Sequence, residues 1–169
     1  TGQITASNLN DQTGGLPTSI TLAIGARVML IKNINVQDGL VNSASGTVVG
    51  FHPPPNDDMP AENFDPKFIF VQFDDARVGK QTRRETPVLH NSPLATPIAR
   101  QEAKIFIGRY GKISNKRIQF PLALAWAVTI HKEQGRTENT LVVSSNGAFH
   151  KGQFYTAISR VKDLSGLHI

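Results

Sequence analysis

The sequence contains no cysteine. Disulfides, thiol catalysis and cysteine-based zinc sites are therefore excluded, and the composition suits a reducing compartment. No run of about 18 apolar residues occurs, so neither a transmembrane helix nor a membrane partner is expected. Thr1 opens a polar stretch, not a Met, a basic patch and an apolar core. No signal peptide is expected, and the chain reads as a fragment. The histidines at 52, 90, 131, 150 and 168 are scattered without zinc spacing, so no structural metal is expected. A G-x-x-x-x-G-K-[ST] phosphate loop is also missing, because Gly108-Arg-Tyr-Gly-Lys-Ile-Ser lacks its spacing. The acidic pair Asp74-Asp75 follows a strand-like run, but within a region of small β-elements.

What is present is a globular composition: 39% hydrophobic and 18% charged residues argue against disorder. A length of 169 residues suits one large domain or two small ones. The formal net charge of +5 is compatible with a polyanionic partner and is weak evidence alone.

Residues 1–18 are rich in Asn, Thr, Gly and Gln and read as an extended lead-in. The β-branched stretch 20–34 predicts a buried strand, Asp38-Gly39 a turn, and Thr47-Val48-Val49 a second strand. Prolines 53, 54, 55, 60 and 66 make the next segment a long loop. Lys67 to Phe73 is the clearest strand pattern. Arg77 to Arg84 reads as a basic loop, Pro87-Val88-Leu89 as a resumed strand, and the polar, Pro-containing stretch to Ala99 as another loop. Residues 104–107 and 117–120 read as the last two strands of a small antiparallel barrel.

From Pro121 the character changes. Leu122, Ala125, Trp126, Thr129 and Ile130 fit one helical face over 122–134, with Gly135 just past its end. Residues 140–144 predict a short strand, 151–159 a second helix, and 167–169 another strand. This order suggests part of a parallel α/β sheet. Trp126 and Tyr155 are expected to be packed residues, although an exposed aromatic could stack a base.

Two segments are specific: Phe120-Pro-Leu-Ala-Leu-Ala-Trp-Ala-Val-Thr-Ile-His-Lys-Glu-Gln-Gly-Arg-Thr137 and Gly152-Gln-Phe-Tyr-Thr-Ala-Ile-Ser-Arg160. They resemble motifs V ("LAWAxTIHKxQGxT") and VI ("GQxYxAxSR") of PIF/RecD-like superfamily 1 DNA helicases. Upstream, Leu22 to Asn33, Gly39 to Asn42 and Gly46 to Gly50 resemble that family's entry into an inserted Src-homology-3-like barrel. Three blocks in the same order make coincidence an untenable explanation.

The resemblance implies a mixed α+β and α/β fold. Residues 1–21 would be the lead-in, 22–120 the barrel insertion with its flanking strand, and 121–169 the C-terminal part of the second RecA-like domain. It implies that Arg160 is the arginine finger, since a guanidinium stays charged and grips two phosphate oxygens. At a helix C-terminus an arginine is also favoured by the dipole alone. Gln134 and Gly135 would lie beside the nucleotide, and Thr129, His131 and Lys132 would face single-stranded DNA. Gly135 is equally suited to cap a helix. Glu133 departs from the family's usual small residue and is not assigned as a base. The charges at Lys80, Arg83 and Arg84, and at Arg109, Lys112, Lys116 and Arg117, fit either a DNA guide or a solvated surface.

The expected parent is an ATP- and magnesium-dependent DNA helicase, moving 5′ to 3′ on single-stranded or forked DNA. Its address would be intracellular, nuclear in a eukaryote. The phosphate loop would belong to a separate N-terminal RecA-like domain, so the fragment alone would hold no cofactor and turn over no ATP. An incomplete RecA-like sheet would expose an edge and favour a dimer. The alternative is a non-catalytic nucleic-acid- or protein-binding module derived from such a helicase.

Overall fold

Val28, Met29 and Leu30 are all buried, which is the burial expected of a strand covered on both faces. They belong to Arg27–Leu30 (β1), an inner strand of a five-stranded antiparallel sheet. Its other strands are Ser45–His52 (β2), Phe68–Phe73 (β3), Ala95–Ala99 (β4) and Leu122–Leu124 (β7), in the order β4-β3-β2-β1-β7. Gln101–Phe106 (β5) and Ile113–Gln119 (β6) form a separate two-stranded hairpin. This computed structural model describes residues 15–53, 65–86, 92–106, 113–131, 135, 137–144 and 152–169. The chain divides into two compact units, Thr1–Trp126 and Ala127–Ile169. Its fold is of the α+β class, mostly antiparallel sheet with few helices.

The core of the first unit joins Val28, Leu30, Leu40, Val48, Ile69, Val71, Phe73, Ile98, Phe120 and Leu122. The strand expectation for Lys67 to Phe73 matches β3, and Thr47-Val48-Val49 falls inside β2. Among the described residues of the lead-in, Leu16 is buried, at 1% exposed.

Four expectations are corrected. Residues 80–85 form a helix, Lys80–Glu85 (α1), not a loop. Its N-cap is Gly79, which has no side chain to cap with; the cap comes from the buried Asp38. Asp38 Oδ1 accepts from Gln81 N at 2.8 Å, and Oδ2 accepts from Thr82 N at 2.9 Å and Thr82 Oγ1 at 2.7 Å. Burial alone would raise the Asp38 carboxyl, but these bonds and the nearby Arg83 outweigh it and hold it below its ordinary 3.8. Arg83 Nη1 in turn donates to Val78 O and to Thr96 Oγ1 on β4, at 2.6 and 2.9 Å. Gly79 has φ +75°, and a Cβ there would collide with Thr96.

Second, the Pro-containing stretch before Ala99 includes β4. Pro97 is tolerated because β4 is an edge strand, where a missing ladder donor costs little. Third, β5 and β6 pair with each other and not with the five-stranded sheet. Fourth, the helix expected over 122–134 is absent across its described part, 122–131. Leu122, Ala123 and Leu124 instead pair antiparallel with Leu30, Met29 and Val28. A short apolar run satisfies either periodicity, and the buried β1 edge decides for strand. Accordingly Trp126 is not core but 71% exposed. The strand expected at Pro87-Val88-Leu89 lies outside the described residues.

In the second unit, Leu141–Val142 (β8) and Leu167–His168 (β9) pair in parallel, with Gln153–Ile158 (α2) between them in sequence. Parallel strands require such a crossover. Tyr155, expected to be packed, is 73% exposed.

Candidate functional site

The candidate residues fall within the second unit, Ala127–Ile169. The Gly152-Gln-Phe-Tyr segment opens α2: Gly152 is the N-cap at φ +84°, a left-handed conformation that suits glycine. The helix ends at Ser159, whose N–H donates to Tyr155 O at 3.0 Å. Arg160 follows directly, and its N–H donates to Ala157 O at 3.0 Å.

The Arg160 side chain is half-buried and held by its own helix end. Nη2 donates to Ser159 Oγ at 3.0 Å, while Nε donates to Thr156 O at 3.2 Å and to Ser159 Oγ at 3.3 Å. Ser159 Oγ donates to Thr156 O at 2.9 Å, which fixes the hydroxyl that receives the guanidinium. Among the described residues no carboxylate pairs with Arg160. Ser159 and Thr156 are the positioning residues that the motif comparison alone did not single out. The signal available was the hydroxyl immediately before the arginine.

The backbone of Arg160 is fixed as well. Its carbonyl accepts from Glu138 N at 2.7 Å, and Glu138 O accepts from Lys162 N at 2.9 Å, which makes the parallel bridge Glu138↔Val161. The ladder continues in Leu141↔Leu167 and Val142↔His168. Gly166 permits it, because a Cβ there would strike the Asn139 carbonyl.

Thr129 and His131 are exposed, with His131 in a turn. Gly135 is exposed at φ +84°, with open space where a Cβ would stand. Lys132 and Gln134 lie outside the described residues. Among the described residues no hydrogen bond joins Thr129, His131 or Gly135 to Arg160. No group of three His, Cys, Asp or Glu side chains suited to a metal ion occurs among the described residues. No described helix is long and apolar enough to cross a membrane.

Residues 8–51 match the family described as the DNA helicase Pif1 2B domain. The ATP-dependent DNA helicase PIF1 of Danio rerio is 35% identical over 150 residues, covering 89% of this chain and 19% of that protein. The crystal structure of Pif1 helicase from Candida albicans matches with a TM-score of 0.63 and 28% identity, over 99% of this chain and 37% of that one. A structure of two coordinating Pif1 helicases, which describes DNA unwinding at forked dsDNA, matches with a TM-score of 0.62 and 25% identity, over 98% of this chain and 30% of that one. The chain thus spans about a fifth of the length of the curated relatives it matches. Similarity to Pif1 DNA helicases thus runs through nearly the whole chain, and the two motif segments stand in that family's order.

Proposed function

We propose that this chain is the C-terminal part of an ATP-dependent DNA helicase that translocates 5′ to 3′ and unwinds DNA. The observation that carries this reading is the guanidinium of Arg160: half-buried, held by Ser159 Oγ and Thr156 O, and without a carboxylate partner among the described residues. A guanidinium that stays charged and has no acid beside it keeps its fork available to two phosphate oxygens. Arg160 fits a phosphate oxygen, and Gly135 leaves room for one to approach its backbone. ATP and its metal ion are assigned to an N-terminal RecA-like domain, because the phosphate loop that would cradle the nucleotide is missing from this sequence. Bound there, ATP supplies the phosphoryl transfer, and Arg160 steadies the charge that develops on the transferring group.

In this reading the second unit is the end of the second RecA-like domain, and Gln134 stands with Gly135 beside the nucleotide. Thr129, His131 and Lys132 hold the phosphates of single-stranded DNA without reading its sequence. Strands β1 to β4 of the five-stranded sheet belong to a Src-homology-3-like barrel within residues 22–120. The two strands β8 and β9 are completed by further strands of the same domain, or by a second copy where that domain is lacking.

The isolated chain is the first object to test. Mixed with ATP, magnesium and oligothymidine, it is expected to show no DNA-stimulated ATP hydrolysis above background. Robust turnover by the pure chain would overturn the division of labour proposed here.

A further inference from the structure

We infer that the outward face of the β5–β6 hairpin, built on Lys104 and Lys116, is a contact surface for the phosphate backbone of nucleic acid. The inference rests on the nucleic-acid reading above and assigns a second contact that motif V does not include.

Charge distribution is the first observation. Residues 100–119 hold six of the chain's 18 lysines and arginines but only one, Glu102, of its 13 acidic residues. This segment alone therefore carries a net +5, the whole excess of the chain, and the remaining residues balance to zero. The excess is thus concentrated in the sequence segment that contains β5 and β6.

Side-chain direction is the second. Along β5 and β6 exposure alternates: Glu102, Lys104, Lys116 and Ile118 are exposed, whereas Ala103 is buried and Arg117 half-buried. Register pairs Glu102 with Ile118 and Lys104 with Lys116, so these four share the outward face. Two of the hairpin's arginines are engaged elsewhere. Arg100 pairs with Asp65 and lies over the Phe120 ring at 4.5 Å, and Arg117 Nη1 donates to Leu16 O at 3.3 Å. They hold the hairpin down, and Lys104 and Lys116 face out.

The third observation is a conflict. Lys104 and Lys116 stand directly opposite each other, an arrangement that is unfavourable for like charges. Glu102 pairs with Lys116 at 3.0 Å, but Lys104 has no carboxylate partner among the described residues. An anion seated between the lysines removes that repulsion. Phosphodiester is the class that fits, because it offers repeated single charges to exposed, flexible ammonium groups and requires no pocket.

The test separates the hairpin from general charge. Lys104→Glu places an acid opposite Lys116 and so relieves the repulsion while repelling phosphate. Lys80→Glu makes the same charge change on α1. Anisotropy of a labelled oligothymidine and a labelled duplex, across a salt series, is compared for wild type and both variants. For Lys104→Glu the affinity is expected to fall about tenfold at low salt. The slope of log affinity against log salt should shrink by about 0.7 to 0.9, and the melting temperature should not drop. Lys80→Glu is expected to change affinity much less. Equal losses in both variants, unchanged binding by Lys104→Glu, or no measurable binding by wild type would each overturn the inference. So would wild-type binding to phosphatidylserine vesicles but not to DNA. A His131→Ala, Lys132→Ala variant reads the motif V contact separately: loss there with Lys104→Glu unaffected removes the hairpin contact alone, and the reverse pattern leaves only the hairpin standing.

Discussion

Glu138 and Arg160 are joined through their backbones: the Glu138 N–H donates to the Arg160 carbonyl at 2.7 Å, and the Glu138 carbonyl accepts from Lys162 N at 2.9 Å. The arginine proposed to meet phosphate is therefore held twice. Its side chain is held by the end of α2, and its main chain by the parallel ladder that leads into β8 and β9. Such double fixing is what a preorganised charge requires, because a guanidinium that must first be ordered loses part of its effect to entropy.

The ladder depends on Gly166, beside which the Asn139 carbonyl passes. Gly166→Ala forces backbone to move, at a local cost of about 1–3 kcal/mol. Hydrogen exchange is the direct measurement. The amides of Lys162 and Val143, which donate to Glu138 O and His168 O, are expected to exchange about ten- to a hundredfold faster. Amides of the five-stranded sheet should be unaffected. Unchanged protection at Lys162 and Val143 would show that the close approach is not needed.

Asp38 makes a different prediction, about pH. Its carboxylate lies below the ordinary 3.8 in the folded protein, because burial is outweighed by hydrogen bonds from Gln81 N, Thr82 N and Thr82 Oγ1 and by Arg83. A lowered folded value means stability that is present above the unfolded value and lost as pH falls through the folded one. Asp38→Asn keeps the shape but turns an amide group toward one of the α1 donors. It is expected to destabilise the first unit by about 1.5–3 kcal/mol near neutral pH. The gap between wild type and variant should be constant above about pH 5 and narrow below about pH 4. Denaturant melts at neutral and acidic pH check this, and a gap independent of pH would contradict it.

The His131→Ala, Lys132→Ala variant is expected to bind oligothymidine several-fold more weakly at low salt. A shallower salt dependence should accompany the loss, by about 0.7 in the log–log slope for each phosphate contact removed. Duplex and single strand should differ in this respect, since the motif V contact is proposed for single-stranded DNA. An unchanged slope would place the strand elsewhere.

How much of this was legible in the sequence differs from element to element. β3 was clear because Phe68 to Phe73 is a continuous β-prone run closed by Asp74-Asp75. The parallel β8–α2–β9 order was legible because three short patterns alternate with breakers between them. Helix α1 was not, since its cap lies about forty positions away at Asp38, and a local reading saw only a cluster of cations. β7 was misread because Leu122 to Leu124 fits both periods, and only the open edge of β1 decides between them. Trp126 followed that error: on a helix it would have faced the core, but just beyond β7 it is exposed. For the candidate site, the motif located Arg160, but the hydroxyl and carbonyl that hold it, Ser159 Oγ and Thr156 O, emerged only from geometry.

The most direct test of the central claim is ATP turnover by the longer helicase in which this chain is proposed to lie, comparing wild type with Arg160→Lys. The substitution keeps the charge and removes the planar fork. The account predicts that DNA-stimulated turnover falls on the order of 10³-fold or more, as for a lost arginine finger, while nucleotide affinity and melting temperature change little. Turnover close to that of wild type would contradict the assignment of Arg160 and return it to a structural role at the end of α2.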